Sequence, residues 1–164
     1  MSPTTGCTLM ANADIVVIGM SELAVIVDLH NDVFRPAHDR SFFERRIRGR
    51  INPLILLAQI QQRPVGFAIG YELKPGTFYC WLIGVIPDFR RSGIASQLME
   101  AMSAWAAEED RYHTIRFECF NRQRPMLHLA ISQKYDIVGM RFHRQTQDNL
   151  LILEQTLTEQ SDDD

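Results

Sequence analysis

Apolar residues recur along this chain in two rhythms. ADIVVIGM near the N-terminus and the runs LILLAQI, VGFAIGYEL and TFYCWLIGV read as strands, whereas SELAVIVDLHNDVF repeats its apolar residues at helical spacing. The last three strand-like runs are separated by QQRP and KPG, short turn signals that predict an antiparallel meander. Ile94, Leu98, Met102 and Trp105 mark one face of a helix running from about Gly93 to Glu108. Further on, HTIRFECF alternates, PMLHLAISQK reads as a helix behind a proline at a favourable early position, and DIVGMRFH and NLLILEQTL read as closing strands. A short helix is expected around SFFERRIRGR, ahead of Asn52 and Pro53, and Ser21 is the expected cap of the first helix.

Strands that flank two helices, then form hairpins, then alternate with helices predict a mixed sheet covered on both faces, of the α/β (α+β) class. Residues 12–157 form one expected domain without internal repeats. Residues 1–11, small and polar, and the acidic residues 158–164 are expected to be flexible tails.

Composition bounds the partners. With 164 residues, 23% charged and a net charge of -3, the chain has neither the sign nor the size of charge for bulk nucleic-acid affinity, and no nucleic-acid partner is expected. Fifteen of its 17 basic residues are arginine, the planar fork that binds carboxylate and phosphate bidentately. Cys7, Cys80 and Cys119 are widely spaced and form no CxxC, and His113, His128 and His143 show no ligand spacing, so neither a disulfide framework nor a metal site is expected. No basic residue precedes Arg35 and no apolar run reaches membrane-span length, which predicts a cytoplasmic protein with no membrane partner.

The chemistry concentrates in VIPDFRRSGIASQL, residues 85–98, where a strand hands over to a helix. Arg90, Gly93 and Ala95 give R-x-x-G-x-A there. A helix start leaves several N–H groups unpaired and attracts anions, a pyrophosphate among them. Arg90 and Arg91 add charge, and Ser92 and Ser96 offer hydroxyls to phosphate oxygens. Neither G-x-x-x-x-G-K-[ST] nor a G-x-G-x-x-G following a strand occurs, which counts against nucleotide hydrolysis and dinucleotide binding.

The stretch LIGVIPDFRRSGIA resembles the acetyl-CoA signature of the GNAT N-acetyltransferase superfamily, V-x-P-x-x-[RQ]-x-x-G-x-[GA], through Val85, Pro87, Arg90, Gly93 and Ala95. The resemblance implies a twisted mixed sheet of six to seven strands with about four helices, splayed where a pantetheine arm enters, and acetyl-CoA as cofactor. It implies that the main chain at Val85 and Ile86 meets the pantetheine, while Arg90, Arg91, Ser92, Gly93, Ile94, Ala95 and Ser96 cradle the pyrophosphate. The implied reaction is direct attack of a primary amine, from a small molecule or a protein, on the thioester; a homodimer remains open.

The tyrosine that family members often use as acid falls on Ala130 when aligned through KYDIVG, or on His128 when anchored at Asn121, leaving Tyr135 or water as substitute. Glu118 is the first candidate base and Glu72 the second, each weighed against simple exposure. Tyr79 and Cys80, beside the expected thioester, read as packing residues. Arg45, Arg46, Arg48 and Arg50 border the acceptor pocket in the resembled family, although a solvated basic face is the simpler reading. The competing functional class is a catalytically silent acyl-CoA-binding regulatory module.

Overall fold

The computed structural model describes residues 12–157; both expected tails and Cys7 lie outside them. A seven-stranded sheet runs in the order β1-β2-β3-β4-β5-β7-β6. Its strands are β1 (Asp14–Ile18), β2 (Leu54–Ile60), β3 (Arg63–Lys74), β4 (Gly76–Val85), β5 (Tyr112–Phe120), β6 (Asp136–His143) and β7 (Asp148–Thr156). The helices are α1 (Leu23–Val33), α2 (Arg40–Ile47), α3 (Ile94–Glu108) and α4 (Arg124–Ser132). All neighbouring strands are antiparallel except β4 and β5, which are parallel and joined through α3. This is the expected mixed sheet with four helices.

The middle strands are buried on both faces, so β3 is buried at every residue from Val65 to Glu72. Gly66 and Phe67 point to opposite sides: a Cβ on Gly66 would meet Leu98 of α3, whereas Phe67 packs edge-on to Phe34 at the end of α1. Helices α1 and α2 therefore cover one face and α3 the other, with α4 tied to α3 by Gln133, which donates to the Ser96 carbonyl and hydroxyl.

Two helix starts differ from the pattern-based reading. Ser21 makes no capping bond: Met20–Glu22 form a 3-10 turn, and the Glu22 carboxylate accepts from the Gly19 amide. Helix α2 is capped by Asp39, whose carboxylate accepts from the Phe42 N–H at 3.0 Å. That bond, with a second from Ser41, holds the Asp39 carboxyl below its usual range.

The feature that positions the site is a break in pairing. Along β3 and β4 the register passes from Ile69↔Leu82 to Gly70↔Cys80, so Trp81 is an extra residue, a β-bulge. Parallel pairing of β4 with β5 ends at Cys80↔Phe117, although β4 continues to Val85. Strand β5 stays with β7 as far as Phe120↔Leu150. The bulge sharpens the local twist, β4 and β5 part, and a wedge opens between them.

Gly70 backs this bulge. A Cβ there would lie 2.6 Å from Phe78 Cε1 and 2.8 Å from the Tyr79 carbonyl oxygen. Gly70→Ala is expected to cost about 2 kcal/mol through overpacking, lowering Tm by roughly 4–8 °C for a chain of this size. Thermal and urea unfolding check this; an unchanged Tm would contradict the packing behind the bulge.

Candidate functional site

Past Val85 the chain makes one tight turn before the helix. Pro87 opens a 3-10 turn, Pro87–Phe89, in which the Phe89 N–H donates to the Ile86 carbonyl and the Arg90 N–H to that of Pro87. Arg91 and Gly93 then take positive φ, 62° and 85°. Left-handed residues alternating with ordinary ones turn successive N–H groups toward one concavity, and Gly93 adopts this shape without the Cβ penalty. The first bond of α3 runs from the Gln97 N–H to the Gly93 carbonyl. Among the described residues no protein acceptor takes the amides of residues 91–96.

These amides border a cleft of about 770 Å³ in the wedge. Ile83, Gly84 and Val85 of β4 form its floor, Val33 and Phe34 one wall, and Met126 and Leu129 of α4 another. Arg90, Arg91, Gly93, Ile94, Ala95 and Ser96 line it on the loop side. The Arg90 Nε reaches back to the Val85 carbonyl at 3.3 Å, whereas Arg91 is exposed and makes no ion pair among the described residues.

Three of the expected cofactor residues are arranged differently from the sequence reading. Ile86 is 8% exposed and its N–H is taken by the Val65 carbonyl at 2.9 Å, because the chain is still paired to the start of β3 there. Ser92 does not line the cleft; its hydroxyl donates to the Phe89 carbonyl and closes the turn. The Ser96 hydroxyl accepts from Gln133 at 2.7 Å and points its proton toward Glu100. In this arrangement the loop offers main-chain N–H groups rather than serine hydroxyls.

The proton-transfer candidates separate. Glu118 is half-buried on β5, one residue beyond the last pairing with β4, and accepts from the Tyr79 hydroxyl at 3.4 Å. Burial, and then the Glu118 charge, push the Tyr79 phenol upward, so it stays protonated and donates. Tyr135 lies instead in the core, 4% exposed and with its ring 6.3 Å from that of Phe117, and burial pushes its phenol up too. Ala130 is buried with no exposure, and α4 turns Met126 and Leu129 to the cleft. His128 is exposed outside the lining.

Glu72, the second candidate base, weighed against exposure, is instead buried at 8% and lies 3.3 Å from Arg111, outside the cleft lining. Cys80 is buried and its thiol is pushed up to about 12 by desolvation, which leaves no thiolate for nucleophilic work. Among the described residues no group of His, Cys, Asp or Glu is placed to hold a metal ion, and no helix is long and apolar enough to cross a membrane. Phe34, Met126 and Leu129 escaped the sequence reading because cleft walls and core use the same apolar residues.

Comparisons with known proteins agree with this geometry. A model of the acetyltransferase (GNAT) family matches residues 23–132. The ribosomal-protein-S18-alanine N-acetyltransferase of Escherichia coli superposes with a TM-score of 0.79 at 14% identity, covering 93% of this chain and 98% of that one. Arabidopsis thaliana NAA60, solved in complex with acetyl-CoA, gives 0.74 at 13% identity over 89% and 99%. An N-acetyltransferase of Staphylococcus aureus Mu50 gives 0.73 at 20% identity over 90% and 100%. No curated protein sequence gives a match. The family match over two thirds of the chain, on a fold whose sheet parts beside a loop of unpaired amides, makes this chain a member of the acetyltransferase (GNAT) family.

Proposed function

We propose that the wedge holds acetyl-CoA and that the protein passes its acetyl group to a primary amine. The observation that carries this reading is the run of unpaired amides at residues 91–96 beside the open edge of β4. Anions at a helix start gain roughly 0.3–1 kcal/mol each from its dipole, up to about 2 when partly buried, and Arg91 adds a free guanidinium. These groups fit a diphosphate, and the apolar floor of Ile83 to Val85 fits an arm lying along the strand. Bound there, acetyl-CoA supplies an activated thioester.

The chain's own residues orient the amine and move its proton. Glu118, one residue past the last β4–β5 pair and outside the cleft lining, takes the proton through a bridging water, and the Tyr79 hydroxyl holds its carboxylate in place. Met126 and Leu129 keep water from the α4 wall. No acidic side chain lines the cleft among the described residues, and a thiol of reference pKa near about 8.5 departs without strong acid assistance, so water returns the proton. Tyr135 keeps to packing. The free, buried Cys80 and Cys119 accord with a reducing compartment such as the cytoplasm.

Gly93→Val forces a β-branched residue into φ +85° and closes the approach to the amides. It is expected to weaken acetyl-CoA binding at least tenfold, about 1.4 kcal/mol, by calorimetric titration. A folded variant with native affinity would contradict the loop assignment. Glu118→Gln is expected to lower kcat/KM roughly 10²-fold or more. Turnover that keeps its native kcat/KM would exclude Glu118 as base. Acetyl-CoA binding without thiol release, across all amines offered, would favour the silent binding module.

A further inference from the structure

Donor binding leaves a second cluster unused, on the sheet face covered by α2. Tyr71 of β3 and Tyr79 of β4 stand opposite each other, their rings 5.6 Å apart and edge to face. The Arg46 guanidinium lies 4.9 Å from the centre of the Trp81 ring, and its Nε donates to the Tyr71 hydroxyl at 3.2 Å. Arg50 lies 4.6 Å over the Tyr71 ring. At the far end the Tyr79 hydroxyl meets Glu118. Two guanidiniums thus stand at one pole and one carboxylate at the other, with two tyrosine rings between.

A solvated surface arginine needs no such setting. Tyr71 is 1% exposed, a fixed partner under both arginines. Stacking on rings strips water from the guanidinium face while the planar fork keeps its edge N–H groups for an anion. Holding both forks in advance lowers the ordering cost of binding. Neither has a carboxylate of its own: the ion pairs among the described residues are Arg40–Glu44, Arg111–Glu72 and Arg116–Glu154. Arg116, on the same side of β5 as Glu118, is taken by Glu154 at 2.7 and 3.0 Å, so Glu118 also lacks a cation partner.

We infer that the acceptor is a small amine that also carries a carboxylate, with the carboxylate docked on Arg46 and Arg50 and the amine at Glu118. The assignment rests on the proposed role of Glu118 beside the donor cleft. Both poles reach the same pair of tyrosines, so a compact molecule bridges them. A peptide would bring its acidic side chain to the arginines at no fixed distance from its terminus.

The test measures thiol release from acetyl-CoA with 4-aminobutyrate and 6-aminohexanoate, each against its own amide, alongside phosphoethanolamine and a tripeptide with an acidic second residue. The acids are expected to exceed their amides at least tenfold in kcat/KM, through KM. In Arg46→Gln and Arg50→Gln, with folding checked by thermal melting, that ratio falls toward one. Equal use of acids and amides, a ratio that survives both substitutions, or faster use of phosphoethanolamine or the tripeptide than of any acid overturns the inference. Should no amine turn over, calorimetry on the protein with CoA decides: binding of an acid but not its amide supports the inference, and no acid binding overturns it. CoA binding in the same titrations reports separately on the donor cleft, so failure of the donor reading and failure of this inference are distinguishable.

Discussion

The structure turns on where two parallel strands stop pairing. Backbone N–H and C=O groups in a sheet interior demand partners, and an interior strand that loses its neighbour leaves a row of them unmet. In this protein the bulge at Trp81 ends the β4–β5 ladder at Cys80↔Phe117, while β3 holds the other edge of β4 to Val85. The open edge is therefore rigid, held by one partner and free toward the other. A flexible loop offering the same groups would pay to order them on binding.

The turn after Val85 extends that logic. Its first bonds close inward, Ile86 to Val65 and Ser92 to Phe89, and they fix the chain so that the following amides remain outward and unpaired. Positive φ at Arg91 and Gly93 then completes the concavity at the mouth of α3. These inward bonds fix the backbone whose unpaired amides border the cleft. On the sheet face covered by α2, Arg46 and Arg50 rest on aromatic rings of β4 and β3, so the bulged strand β4 borders both the cleft and this arginine cluster.

Much of this was legible in the chain. Hydrophobic rhythm gave the order of strands and helices, and the R-x-x-G-x-A spacing located the loop, because both are local properties of contiguous residues. What was missed is non-local. Whether the Ile86 amide is free depends on how far β3 pairs, at Val65 well upstream, and whether Glu72 is exposed depends on Arg111 across the fold. Tyr135 packs on Phe117, a contact that no spacing rule reveals. The basic residues Arg45, Arg46, Arg48 and Arg50 are exposed, as the simpler reading expected, but the aromatic rings beside Arg46 and Arg50 sit on β3 and β4, where no local pattern shows them.

Amide hydrogen exchange at residues 91–96 tests the central claim most directly, compared in the free protein, with CoA, and with pantetheine, which lacks the diphosphate. The account predicts rapid exchange in the free protein, at least tenfold slowing with CoA, and none with pantetheine. Amides already protected in the free protein, or unchanged by saturating CoA, would contradict it.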